Sequence, residues 1–139
     1  MCPCVLGGLS SLKYAWKDPR IGFVVNVSAR FDMSKGPKKH TAEEMRQLKD
    51  EGFFYWGFSV KGQPKKIKVT QEDIDAFASY DNSFLAQLPF SLPVLTCYGL
   101  ADEVVPVEDC AGYANVVANH TLKLIPGANH SYKGQSSTI

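Results

Sequence analysis

The 139-residue sequence predicts an α/β fold in which about three parallel strands are joined by crossover helices. Apolar runs at 21–27, 92–99 and 121–125 have strand character. The first of these runs is too apolar on both faces for a surface strand, which predicts a buried parallel strand. Segments with helical periodicity lie between the runs, and this alternation is typical of a parallel sheet with right-handed connections.

The helical segments carry recognisable signals. Segment 41–52 opens with a capping box, Thr41 followed by Glu44, and ends at Gly52. Segment 70–80 opens in the same way. Apolar residues at helical spacing predict one buried face on each of two further helices, 9–17 (Leu9, Leu12, Ala15, Trp16) and 107–119 (Cys110, Tyr113, Ala114, Val117).

Segments 53–60 and 65–70 lie between the two capped helices and predict a hairpin, or at least a small excursion from the main sheet. Aromatic residues fill 53–58 except at Gly57. These rings either pack the excursion onto a core or line an apolar ligand pocket, and the sequence leaves both readings open.

Composition excludes several functional classes. The chain is 45% hydrophobic and 12% aromatic, which is enough for a packed core. Its net charge of +1 gives no overall attraction to nucleic acid or to an anionic membrane, and the basic cluster 34–40 is interrupted by glycine and proline, as in a solvated loop. No apolar run approaches the ~18 residues of a membrane span, and the amino-terminal segment has no secretory-signal pattern.

The cysteines and histidines show no metal-binding spacing. They are scattered along the chain, at Cys2, Cys4, Cys97, Cys110, His40, His120 and His130. Free thiols in a reducing cytoplasm explain the cysteines better than disulfides or zinc. We therefore expect neither a metal site nor a cofactor site, and a cytoplasmic protein.

Two polar side chains follow neighbouring strands of the predicted sheet. Asp102 lies just past the strand 92–99, and His130 follows the strand 121–125 through a Pro/Gly turn. In such sheets reactive groups collect beyond the carboxyl ends of the strands, which lie about 4.8 Å apart. Asp102 could therefore orient His130 as the acid of a catalytic triad. Alternatively, Asp102 caps the following helix and His130 only terminates a loop.

The same residues resemble a known family. The segment GLADEVVP, 99–106, resembles the G-x-x-D-x-x-V-P segment that carries the acid in many α/β-hydrolases, and PGANH, 126–130, resembles their histidine loop. FVVNVSARFDM, 23–33, is similar to the sixth strand of the esterase and serine-aminopeptidase-like branch. The resemblance spans roughly 5–133 and covers only the carboxyl-terminal half of a typical hydrolase domain.

The resemblance implies a partial α/β-hydrolase fold in three parts. Residues 1–33 would hold the helix after the nucleophile and one core strand, residues 34–90 an inserted cap of helices and a hairpin, and residues 91–139 the acid and histidine loops. Asp102 and His130 would be catalytic residues, and the substrate would be a small acyl compound.

The nucleophile is missing from the matching position. The family places a serine on a strand-turn-helix elbow, G-x-S-x-G. Aligning Gly7 and Gly8 with the end of that pattern puts Val5 at the serine. Ser10 is a weaker candidate, because Leu12 fills a position that needs a small residue and serine is favoured near helix starts.

We therefore expect a truncated form of a serine α/β-hydrolase that supplies the acid and base but not the nucleophile. The chain alone would have negligible activity. The alternative is a non-catalytic binding or regulatory protein. In either case the apolar strand 21–27 would lack a neighbour, and such an edge favours self-association.

Overall fold

The computed structural model describes residues 3–35, 40–60 and 62–133, except for the side chains of residues 3–6 and 35. These residues form two compact units. Residues 33–80 make up one unit, and the segments before and after it in the sequence make up the other.

The discontinuous unit contains a three-stranded parallel sheet in the order β1 (Val24–Val27), β4 (Val94–Gly99), β5 (His120–Ile125). Its helices and strands are, in chain order, α1 (Pro3–Lys17), β1 (Val24–Val27), a 3-10 helix (Ser83–Gln87), β4 (Val94–Gly99), α4 (Glu108–Val116) and β5 (His120–Ile125). The unit 33–80 contains a 3-10 helix (Met33–Lys35), α2 (Ala42–Glu51), β2 (Phe53–Val60), β3 (Gln63–Thr70) and α3 (Gln71–Ala78). The predicted α/β class, with three parallel strands and helical connections, is confirmed.

The unit 33–80 has the local structure that its sequence predicts. Thr41 and Thr70 close capping boxes at the starts of α2 and α3, and Gly52 ends α2 with φ of 79°. β2 and β3 form the predicted antiparallel hairpin. Phe54 is buried in this unit, whereas Tyr55 and Phe58 are exposed. Packing therefore explains only part of the aromatic cluster.

β1 is shorter and less buried than the sequence predicts. The strand spans 24–27 instead of 21–27, and the prediction that both of its faces are buried is wrong for the described residues. Val24 and Asn26 are buried, whereas Val25 and Val27 are 45% and 37% exposed. The buried face of β1 packs against α1. Uniform apolarity therefore did not distinguish the face that α1 covers from the other face.

Helix α1 and strand β1 approach each other closely at Gly8. A Cβ atom at Gly8 would lie 2.2 Å from Asn26 Oδ1 and 2.7 Å from Ala29 Cβ, both shorter than any real contact. No atom lies within 4 Å of a Cβ built at Gly7. Packing thus requires glycine at position 8 but not at position 7.

Gly8→Ala should lower the free energy of unfolding by about 1–3 kcal/mol, because the added methyl group overpacks the interface between α1 and β1. Gly7→Ala is the matched control. It should raise the free energy of unfolding by about 0.5–1 kcal/mol, since alanine is the better helix former. Urea denaturation of the two variants measures both values, and equal effects would contradict the packing role of Gly8.

A row of polar side chains crosses the buried face of the sheet. Asn26 Nδ2 donates a long hydrogen bond of 3.4 Å to Thr96 Oγ1, and Thr96 Oγ1 lies 2.8 Å from His120 Nε2. Because the Thr96 oxygen accepts from Asn26, its own hydrogen is available to neutral His120. Burial lowers the pKa of His120, which also favours the neutral imidazole.

This row predicts a pH-dependent stability. Between its folded pKa and the ordinary value of about 6.5, His120 binds more protons in the unfolded chain than in the folded one. Its contribution to stability is therefore complete above about pH 6.5 and is lost as the pH falls toward the folded pKa. Urea denaturation at pH 7.5 and 5.5 should show a larger loss on acidification for the wild type than for His120→Gln. Equal losses of stability in the wild type and in His120→Gln would rule out a contribution of His120.

Candidate active site at the carboxyl edge of the parallel sheet

The carboxyl ends of β4 and β5 are drawn together at Gly99. The amide of Leu100 donates to the Ile125 carbonyl at 3.0 Å, and the amide of Ala101 donates to the Ala128 carbonyl at 2.9 Å. A Cβ atom at Gly99 would lie 2.3 Å from the Ala128 oxygen, so a larger residue would separate the two loops. The loop that carries Asp102 and the loop that carries His130 therefore start from one junction.

The Asp102 carboxylate is fully buried and makes three hydrogen bonds. Oδ1 accepts from the amides of Val104 and Val105 at 2.8 and 2.9 Å, and Oδ2 lies 2.8 Å from His130 Nδ1. The side chain is 0% exposed. Asp102 thus binds amides of its own loop and does not cap α4, for which Val107 stands at the N-cap without a side-chain bond.

His130 follows β5 through a turn in which Gly127 has φ of 70°. Its side chain is 4% exposed. An ionised carboxylate only accepts hydrogen bonds, so Nδ1 carries the proton of the bond to Asp102. The lone pair of the neutral ring then lies on the other ring nitrogen, Nε2.

The histidine loop is tied to the other two strands by Tyr132. The Tyr132 hydroxyl donates to the Cys97 carbonyl at 3.1 Å and lies 2.8 Å from Ser28 Oγ, which therefore donates to it. Ser28 and Tyr132 both have positive φ, 45° and 52°, a conformation that non-glycine residues rarely adopt. Burial raises the pKa of Tyr132, so the hydroxyl keeps the proton that it donates.

Tyr98 anchors the acid loop, the loop after β4 that carries Asp102, through a side-chain hydrogen bond. It is a buried residue of β4, and its hydroxyl donates to the Val105 carbonyl. Burial, and to a smaller extent the charges of Asp102 and Asp109, raises the pKa of Tyr98. Ser28, Tyr98 and Tyr132 were not recognised in the sequence, because Ser28 and Tyr132 contact residues far along the chain and the bond of Tyr98 to the Val105 carbonyl depends on how the loop after β4 folds back. A tyrosine two residues after the predicted histidine was the one available signal.

The two residues considered for the nucleophile lie on α1. The backbone of Val5 belongs to the helix, and its side chain lies outside the described residues. Ser10 is exposed and lines a shallow groove of about 430 Å³, together with residues of α1, of β1 and of the segment before β1. Asp102 and His130 are not among the described residues that line this groove.

The part of the chain that the structure describes contains no cluster of three metal-ligating side chains. Within the same ranges, no helix has the length and apolarity needed to cross a bilayer.

Comparison with known proteins identifies the fold. No protein-family profile matches the sequence. An uncharacterized protein of Saccharomyces cerevisiae, YDL057W, is 26% identical over 134 residues, which is 92% of this chain and 40% of the yeast protein. The ferulic acid complex of Est1E from Butyrivibrio proteoclasticus superposes with a TM-score of 0.62 at 20% identity, over 91% of this chain and 49% of Est1E. This chain has an α/β-hydrolase fold.

Two further solved structures support the same fold. An esterase domain from Rhodothermus marinus has a TM-score of 0.61 at 15% identity, over 93% of this chain and 51% of its own. Alpha/beta hydrolase domain-containing protein 10 from mouse has a TM-score of 0.60 at 18% identity, over 91% of this chain and 51% of the mouse protein's chain. This chain thus spans about half of each solved structure and corresponds to the carboxyl-terminal half of an α/β-hydrolase.

The buried carboxylate of this half-fold should make Asp102→Ala strongly destabilising. The substitution leaves the amides of Val104 and Val105 without their acceptor in a buried loop, which should cost about 2–4 kcal/mol of unfolding free energy. Glu103→Ala, at the exposed neighbouring position, is the control and should change that energy by less than about 0.5 kcal/mol. Thermal or urea denaturation distinguishes the two, and a similar small effect for both would contradict the hydrogen-bonding role of Asp102.

Proposed function

We propose that this chain supplies the acid and the base of a serine hydrolase that acts on ester or other acyl substrates. Asp102 would be the acid and His130 the base. The observation that carries the proposal is the 2.8 Å contact between Asp102 Oδ2 and His130 Nδ1, two buried groups from loops that follow adjacent strands. The solved structures with this fold include esterases, which supports the class of reaction.

In the proposed reaction, Nε2 of His130 takes the proton of an attacking serine and later returns it to the leaving group. Asp102 holds the ring with Nδ1 protonated and stabilises the imidazolium that forms. The catalytic pair must be rigid to do this. The amides on Oδ1 and the anchoring of Tyr132 on the ends of β1 and β4 meet that requirement.

We assign the nucleophile and the oxyanion hole to residues outside those described. The chain matches 40% of the yeast relative and about half of each solved hydrolase, which supports a truncated form of a longer enzyme. Residues 34–90 are assigned to the inserted cap of that enzyme. Ser10 is a poor nucleophile candidate, because it lies within a helix and not on a strand-turn-helix elbow.

A non-catalytic binding or regulatory role is the alternative. The exposure of one apolar face of β1 favours it, since Val25 is 45% exposed and, together with the exposed Phe23 just before the strand, lines the groove beside Ser10. An apolar edge strand of this kind can pair with a second copy or with a full-length relative. This role needs no proton transfer by His130.

The purified chain should neither hydrolyse p-nitrophenyl esters faster than its His130→Ala variant nor react with a fluorophosphonate probe, because no serine among the described residues lies on a strand-turn-helix elbow. The reading frame upstream of Met1, read from the 5′ end of the transcript, should continue into further strands and a G-x-S-x-G motif. In that extended protein, His130→Ala and Asp102→Asn should each lower kcat by about 10⁴-fold.

Each other outcome points to a different error. Ester hydrolysis by the chain that disappears in His130→Ala would overturn the expectation of negligible activity and return Ser10 to consideration as the nucleophile. Hydrolysis that survives His130→Ala would remove His130 from the mechanism. A dimer in sedimentation experiments, together with an upstream frame that closes without the motif, would support the binding role.

A further inference from the structure

Arg30 is a buried cation beside the candidate acid loop. It lies after the end of β1, and the residue is 4% exposed. Its Nη2 donates to the Val104 carbonyl at 2.8 Å. Among the described residues Arg30 forms no salt bridge, although a buried charge normally requires compensation. Among the described residues, the guanidinium therefore contacts the acid loop and forms no direct ion pair.

The carbonyl that Arg30 contacts belongs to the peptide group between Val104 and Val105. The N–H of that same peptide group is the Val105 amide, which donates to Asp102 Oδ1 at 2.9 Å. One peptide group is thus bonded to a cation at its oxygen and to a carboxylate at its nitrogen. Both bonds are charge-assisted, and each polarises the peptide in the direction that strengthens the other, by about 10–30%.

Tyr98 also donates a hydrogen bond to this loop, but its bond can only position the loop. Its hydroxyl donates to the carbonyl of Val105, one residue further along. The nitrogen of that peptide group belongs to Pro106 and carries no hydrogen. Tyr98 can therefore hold the loop in place, but it has no N–H through which to act on Asp102.

The backbone of Arg30 is fixed by α4. The Tyr113 hydroxyl donates to the Arg30 carbonyl at 2.9 Å, and the carboxylate of Asp109 accepts from the amide of Phe31 at 3.0 Å. Gly112, which lies between them on the helix, allows the Phe31 ring to approach, because a Cβ atom there would lie 2.4 Å from the ring. The guanidinium thus approaches the Val104 carbonyl from an anchored loop.

We propose that Arg30 is a positioning residue that compensates the Asp102 carboxylate through the peptide group between Val104 and Val105, and so holds Asp102 against His130. The proposal rests on the proposed function, in which Asp102 and His130 are the acid and base. Arg30 would thus act on Asp102 without being part of the catalytic pair, since its role requires contact with neither the substrate nor His130.

Nuclear magnetic resonance of the ¹⁵N-labelled chain tests this relay, with the Val104 amide as an internal reference. Val104 and Val105 donate to the same oxygen of Asp102, but only the Val105 amide belongs to the peptide group that Arg30 contacts. Arg30→Met should move the Val105 amide proton upfield and raise its hydrogen exchange about tenfold more than that of Val104. Arg30→Lys, which keeps the charge, should reverse most of this change and bring both amides close to their wild-type behaviour.

Tyr98→Phe is the matched control, since it removes a hydroxyl anchor from the neighbouring carbonyl. It should affect the amides of Val104 and Val105 alike. The proposal is wrong if Arg30→Met changes the two amides equally or not at all, or if Tyr98→Phe reproduces its pattern. If Arg30→Met does not fold, Arg30→Gln, which keeps a neutral donor, is judged by the same comparison.

The downfield resonance of the His130 Nδ1 proton separates this proposal from the function on which it rests. Its absence from the wild-type spectrum would count against the pairing of Asp102 with His130, whatever the two amides show. Its presence in the wild type, followed by loss in Arg30→Met and return in Arg30→Lys, supports the positioning role. Its persistence unchanged in Arg30→Met would contradict that role.

Discussion

The buried carboxylate of Asp102 is the constraint on which the rest of the carboxyl edge depends. A charge without solvent is costly unless donors surround it, and Asp102 has two backbone amides and one imidazole within 2.9 Å. Those donors occupy the right places only if the loop after β4 turns back immediately and the loop after β5 crosses beside it. The order of the strands, the turn at Gly99 and the anchors of both loops all serve this arrangement.

Three glycines allow close contacts between segments of the discontinuous unit. Gly99 lets the Ala128 carbonyl reach the end of β4, Gly8 lets α1 contact Asn26 of β1, and Gly112 lets the Phe31 ring approach α4. Each position joins two segments that are distant in the sequence. A larger side chain at Gly99 or Gly112 would displace a loop that leads to the candidate site, so packing and site geometry are linked at these two positions.

Local signals account for the parts of the molecule that were predicted well. The capping boxes at Thr41 and Thr70 depend on residues three positions apart, and both are present. The hairpin and the alternation of strands and helices depend on periodicity within single segments. The burial of β1 was predicted wrongly, because apolar residues stand on both of its faces, Val24 on one and Val25 and Val27 on the other, and only packing decides which face is covered. The catalytic roles of Asp102 and His130 stay predictions, although the two side chains lie in contact.

The sequence by itself determined the order of the elements and the places of Asp102 and His130 beyond the ends of two strands, since these follow from short-range periodicity and turn residues. Only the tertiary structure decided which side chains surround that pair. Arg30 and Val104 are 74 positions apart, Ser28 and Tyr132 are 104 apart, and neither contact leaves a periodic trace in the chain. Contacts of that range exist only after the parallel strands have aligned, because strand register sets which loops meet at the edge of the sheet.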